Sequence, residues 1–202
     1  MTSLRHNTSE RPASVDREPR DGYLDAARDC ILDVGWRRTT LTEVARRAGV
    51  SRMTIYRTWP DMPTLLGDLM TREWAGVVTD HVSAEGPAID RITDGVVGTV
   101  RQLRHNELFV RIVELDPELI LPYLFSRRGR SQELILQLTA EAVAAGQRAE
   151  EVRPGNPVAI ARALLLAAHG FVLSVHTMVD DEVSEDDLDA ELALLIRRTL
   201  AP

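Results

Sequence analysis

The chain has 202 residues, 44% apolar and 27% charged, with a net charge of −7: an ordinary globular composition, with room for one large domain or a small domain joined to a larger one. A single cysteine, Cys30, excludes a disulfide framework within the chain and points to a reducing, cytoplasmic setting. The opening "MTSLRHNTSERPASVDREPR" has no apolar core of signal-peptide length, and all 24 basic residues are arginine.

Charge is unevenly placed. Residues 1–60 hold 11 arginines against 8 acidic residues, a net of +3, whereas residues 61–202 hold 13 against 23, a net of −10. A basic end on an acidic body suits a module facing nucleic acid, joined to a partner domain.

Residues 1–18 are polar, proline-bearing and without periodicity, which predicts a flexible N-terminal arm. From there every strong signal is helical. Tyr23, Leu24, Ala27, Ile31 and Val34 recur at helical spacing, with Cys30 on the core side, and Gly35 ends that helix. Thr40 followed by Glu43 predicts a capping box for a short helix over Leu41–Ala48. Gly49 can take the positive φ of a tight exit, Val50 points back inward, and Ser51 caps the next helix. Ala45 is small where that helix must cross, and Ile55 closes the small core; this is the spacing of a helix-turn-helix. Arg52, Met53, Thr54, Tyr56, Arg57 and Thr58 are not needed for that core. They offer guanidinium forks, hydroxyls, a phenol and apolar groups near a helix N-terminus, the groups that read a major groove and grip phosphate. Spacing alone leaves open an ordinary helical hairpin with a solvated basic face.

Beyond Pro60 and Asp61 a helix runs through Leu65, Leu69 and Val77, followed by helices over 87–105, 106–115, 117–125 and 131–149. Asn156 and Pro157 form a cap and first-turn proline for an apolar segment, Val158–Val179, read as one helix buried on more than one side. Arg162, His169 and His176 interrupt it, so it does not read as a membrane span. Ser184 with Glu185, Asp186 and Asp187 starts a last helix carrying Leu188, Leu192, Leu195, Ile196 and Leu200. No strand and no internal repeat are predicted. HExxH, GxSxG, GxGxxG and P-loop patterns are absent, and no compact His/Cys/Asp/Glu cluster suggests a metal, so neither an enzyme nor a cofactor is expected.

The stretch "ILDVGWRRTTLTEVARRAGVSRMTIYRTWPDMPTLL", Ile31–Leu66, closely resembles the N-terminal DNA-binding region of the TetR family of bacterial transcriptional regulators. The matching pieces are Gly35 with a following aromatic, the Thr39–Thr40 pair, "AGVS", "TIY", an aromatic at 59 and the Leu65–Leu66 pair. The resemblance implies an all-α homodimer: a helix-turn-helix domain over 19–66, then a ligand-binding and dimerisation domain over 67–202. It implies a repressor released from a palindromic operator in double-stranded DNA by a small-molecule effector. Carried over by residue, Arg52, Met53 and Arg57 read base edges, Tyr56 meets phosphate or a thymine methyl, and Thr54 meets phosphate. Thr40 and Thr42 touch backbone, and Ser51 and Thr58 complete the DNA-facing set. Members usually carry a lysine where this chain has Met62, which puts one phosphate contact in doubt and implies a shallower salt dependence. Trp59 stands where phenylalanine is commoner and is expected in the core. Two long helices within 157–200 would pair across the dimer. Candidate effector-lining residues are Trp74, His105, Phe109, Arg111, Tyr123, Phe125, His169, Phe171 and His176, with His169 and His176 two turns apart on one face.

Overall fold

The computed structural model describes residues 18–82 and 86–202, with side chains given outside 74–82. The arm expected over 1–18 therefore lies almost wholly outside the described residues. Among those described there are ten α-helices and no strand. They are α1 Pro19–Val34, α2 Leu41–Arg47, α3 Arg52–Thr58, α4 Met62–Val82, α5 Ala88–His105, α6 Glu107–Leu115, α7 Leu121–Phe125, α8 Arg130–Arg148, α9 Pro157–Leu173 and α10 Glu185–Leu200.

Helices α1–α4 close a first core around Ile31, Leu41, Val44, Ile55, Trp59 and Leu65, with Leu108 and Ile112 of α6 joining it from the body. The α2–α3 turn follows from local chemistry. The Thr40 hydroxyl accepts the Glu43 N–H at 3.2 Å, and the Ser51 hydroxyl accepts the Thr54 N–H at 3.2 Å, so each helix start has one orphan donor satisfied. The capping box expected at α2 is only half formed, because Arg46 holds the Glu43 carboxylate at 2.6 and 2.9 Å. Between the helices Gly49 sits at φ +68°, and the Val50 N–H returns to the Ala45 carbonyl at 3.0 Å. Met62 is half-buried against this core instead of facing outward.

Helices α5, α8, α9 and α10 form a second core through Val100, Val143, Ile160, Leu164, Leu192 and Ile196. The Ala88 N–H donates to Glu151 at 2.6 Å and Gly146 lies against Ala88, so the start of α5 meets the end of α8. A buried ion pair, Arg104–Asp189 at 2.7 Å, ties α5 to α10. Ser184 and Asp187 cap α10 reciprocally, at 3.2 and 2.9 Å.

Two expectations are corrected. The segment 158–179 is not one helix: α9 ends at Leu173, and Val175–Thr177 tighten into a 3-10 turn that buries Val175 and leaves His176 exposed. Within one chain α9 keeps one side uncovered. Val158, Arg162, Ala163, Leu166 and Ala167 face outward, with Leu166 71% exposed. The segment 117–125 is likewise divided, into a 3-10 turn over Pro117–Leu119 and α7.

Gly146 is a test of this packing. A Cβ there would stand 2.6 Å from a Val152 methyl and 2.8 Å from the Ala88 Cβ. Gly146→Ala is expected to cost about 1–3 kcal/mol by overpacking the α5–α8 contact, read as a lowered urea midpoint at unchanged slope.

Candidate nucleic-acid interface and effector cavity

The outer face of α3 is built by burying only Ile55. Ser51, Arg52, Met53, Tyr56, Arg57 and Thr58 are exposed, Met53 to 77%, while Thr54 is half-buried. Thr40 is exposed and Thr42 half-buried at the start of α2. Some hydroxyls are already engaged: Ser51 and Thr54 share a 2.9 Å hydrogen bond, and Thr58 donates to the Thr54 carbonyl at 3.1 Å. They can still accept from a partner.

The arginines of this region sort into two groups. Arg46 pairs with Glu43 at 2.6 Å, Arg47 with Asp33 at 2.5 Å, and Arg37 with Glu118 at 2.6 Å. Arg52 and Arg57 have no carboxylate partner among the described residues, and neither has Arg38, whose Nε donates to the Val34 carbonyl at 2.9 Å. Two of these three cations therefore stand on α3, beside the exposed thioether and phenol, where a major groove offers guanine acceptors, thymine methyls and phosphate.

Behind this face lies Asp68, on α4 and largely buried. It accepts the Trp59 indole N–H at 2.7 Å, pairs with Arg130 at 2.7 Å through its other oxygen, and pairs with Arg20 of α1. Arg20 also lies over the Trp59 ring, 5.5 Å from its centroid, and Tyr23 meets that ring edge-on. Burial pushes the Asp68 carboxyl up, but the Trp59 N–H with Arg20 and Arg130 outweighs it and holds the group below the usual carboxylate range. Trp59 itself directly follows α3 and is fully buried.

Arg130 and Gly67 open onto a cavity of about 660 Å³ enclosed by α4–α9. Its wall is chiefly aliphatic. Of the residues named from sequence, Phe109, Tyr123 and His169 line it. The Gln132 side chain lies 3.3 Å from the His169 Nε2, and burial pushes the His169 imidazole down, favouring the neutral form. His105 is exposed at the end of α5, with Nδ1 2.8 Å from the Arg101 carbonyl. Phe125 is 79% exposed, His176 is exposed in its 3-10 turn, Arg111 is half-buried outside the cavity, and Phe171 packs in the second core. The Trp74 side chain lies outside the described residues. Because α9 stops before His176, the two histidines do not share a helix face. Sequence reasoning missed Asp68, Gln132 and the aliphatic lining; a lone aspartate in an apolar helix was the only available signal for the first.

A family model, the tetR family of bacterial regulatory proteins, matches residues 24–69. An uncharacterised HTH-type transcriptional regulator of Mycobacterium tuberculosis is 33% identical over 180 residues, covering 89% of this chain and 93% of that protein. The chain belongs to the TetR family of transcriptional regulators. Its fold is shared with the fatty acid degradation regulator FadR of Bacillus halodurans, at a TM-score of 0.65 and 16% identity over 91% of this chain and 96% of that one. It is shared too with the TetR family repressor AlkX of Dietzia sp., implicated in biodegradation of n-alkanes, at a TM-score of 0.63 and 20% identity over 90% and 94%. The relatives are regulators, not enzymes. No helix among the described residues is long and apolar enough to cross a membrane.

Asp68→Asn tests the buried cluster. The folded protein holds this carboxyl below its unfolded value, so its contribution is complete above about pH 4 and is lost as pH falls through the folded value. The variant is expected to be about 1–3 kcal/mol less stable at pH 7 and to lose less on acidification, measured by urea unfolding from pH 7 to pH 3. Identical pH profiles for the two proteins would contradict the assignment.

Proposed function

We propose that the chain is a cytoplasmic repressor that binds a palindromic operator as a homodimer and is released by a small molecule held in the α4–α9 cavity. Residues 19–66 act as the DNA-reading head and 67–202 as the effector-binding and dimerising body. The observation that carries the first part is the sorting of arginines: Arg46 and Arg47 at the end of α2 are ion-paired, and Arg52 and Arg57 on α3 are not. In this reading Arg52, Met53 and Arg57 meet base edges, Tyr56 a phosphate or thymine methyl, and Ser51, Thr54, Thr58, Thr40 and Thr42 the backbone.

Dimerisation through 157–200 is supported by the outward face of α9 and by Leu194 and Leu195 on α10, the latter 54% exposed. A stripe of this kind on two helices is what a four-helix interface covers. Two-fold symmetry then sets the two α3 helices about 34 Å apart, one turn of DNA. Release follows from the Asp68 cluster. Arg130 stands at the cavity and Trp59 at the end of α3, and both bond to one carboxylate. An effector that shifts the start of α8 shifts that carboxylate, and with it the population of DNA-competent heads. The Dietzia protein, described as a repressor, lends support.

Fluorescence anisotropy with the intergenic DNA beside the chain's own gene, against a scrambled probe, tests this reading. Wild type is expected to prefer the native probe. Arg52→Ala and Tyr56→Ala are each expected to lose about 1–3 kcal/mol of that preference. Arg47→Ala removes the same charge as Arg52→Ala but from an ion-paired site, and is expected to leave the preference nearly intact. Equal losses for Arg47→Ala and Arg52→Ala would mean that bulk charge, not the α3 face, carries binding.

A further inference from the structure

The cavity is a slot. Its lining extends along α5 from Arg91 to Leu103 and along α9 from Ala161 to Leu173. Twelve steps at about 1.5 Å each make about 18 Å on either helix. A compact hollow of the same volume would be little more than half as long. Its two ends are defined by the helix directions. The start of α5 meets the end of α8, and Gln132 at the start of α8 meets His169 near the end of α9. So α5 and α9 run one way and α8 the other.

The ends differ. At the narrow end only α5, α8 and α9 line the slot, with Ile92, Leu138, Ala142 and Ala161 on its walls. Arg91 and Glu141 there oppose each other in charge. At the wide end α4, α6 and α7 add walls, and the polar groups collect. The Gln132 amide oxygen accepts the Gly129 N–H at 2.9 Å, which turns its NH2 toward the His169 Nε2. That nitrogen is then the acceptor, and the ring proton sits on Nδ1, which has no partner among the described residues. Arg128 and Arg130 at this end are paired with Glu133 and Asp68, at 2.7 Å each. Arg127 has no carboxylate partner among the described residues; it stacks on Tyr123, 5.0 Å from the ring centroid.

We propose that the effector is a long unbranched acyl chain with a free carboxylate, its chain along the slot and its head at the wide end beside Arg127 and His169. This rests on the reading of the cavity as the effector site. The aliphatic walls match methylenes, the length of the lining along α5 and α9 favours an extended chain over a compact body, and the wide end supplies one guanidinium without a carboxylate partner and one N–H donor for a single anionic head. Carbon–carbon bonds of about 1.5 Å advance an extended zigzag chain by about 1.3 Å each, so about fourteen carbons fill the length.

The test uses the purified full-length chain. Dissociation constants are measured by titration calorimetry for even-numbered n-alkanoates from six to eighteen carbons, for tetradecanol and for methyl tetradecanoate, with the operator-bound protein followed by anisotropy in parallel. Affinity is expected to rise about four-fold per methylene up to about fourteen carbons and then to level. Ala142→Phe, at the narrow end, is expected to move that levelling to shorter chains while the six- and eight-carbon acids bind as before, which also shows that the variant is folded. Arg127→Ala, an exposed position, is expected to weaken tetradecanoate about tenfold and to leave tetradecanol unchanged. Methyl tetradecanoate binding as tightly as the acid would overturn the carboxylate assignment. Affinity independent of chain length, or an unmoved levelling point in Ala142→Phe, would overturn the slot. No alkanoate binding in a protein that still prefers its operator overturns the ligand class and leaves the regulator reading standing. Binding without any change in DNA affinity overturns the effector role.

Discussion

A largely buried carboxylate joins three segments where the head of this protein meets its body. Asp68 receives the indole N–H of Trp59, which directly follows α3, and the guanidinium groups of Arg20 from α1 and Arg130 from α8. Its burial is sustainable because the charge is met by three donors; with any one removed, the low-dielectric surroundings would penalise what remained. The consequence is mechanical. The residue fixing the end of α3 and the residue at the cavity's wide end share one anchor, so neither can move far alone. Two outer contacts repeat the theme more weakly, Arg28 with Glu73 and Glu107, and Arg37 with Asp116 and Glu118. Arg37, Glu107 and Glu118 are exposed, so their pairs add little stability, whereas Asp116 is buried and also accepts the Trp36 N–H at 3.2 Å.

The same logic of paired and unpaired charge organises the DNA-facing side. A chain of net charge −7 approaches a polyanion at a cost unless its cations are placed where the contact forms. Here the neighbouring arginines are neutralised by Glu43, Asp33 and Glu118, leaving Arg52 and Arg57 as the local cations of α3. Among the described residues, pairing thus leaves two of the head's three unpaired arginines on α3, with Arg38 the third.

The head was legible in the sequence because its determinants are local. Thr40 and Ser51 cap within three residues, Gly49 turns at a positive φ, and Ala45 and Ile55 meet across adjacent helices. The body was legible only as helices. Nothing between Leu173 and Val175 marks the end of α9: no glycine, proline or charge stands there, and the break comes from Val175 turning into the core. The α4–α9 cavity was harder still. Aromatic and histidine residues were sensible candidates, and Phe109, Tyr123 and His169 do face it. Yet its walls are made by residues such as Ile92, Leu138 and Ala142, whose spacing is the same whether they fill a core or line a void. Asp68 could not be read as an anchor because its partners Arg20 and Arg130 are distant in the chain. The burial of α9 on more than one side was a reading of composition, and within one chain Val158 and Leu166 stay exposed on its outward face.

The central claim is that a two-fold pair of α3 helices reads DNA, and hydroxyl-radical footprinting of the intergenic DNA beside the chain's own gene tests it most directly. Two symmetric protected patches are predicted, with centres about one helical turn, or a whole number of turns, apart, lying on one face of the duplex and weakening together as protein is diluted. A single asymmetric patch, or protection spread evenly along the fragment, would contradict it.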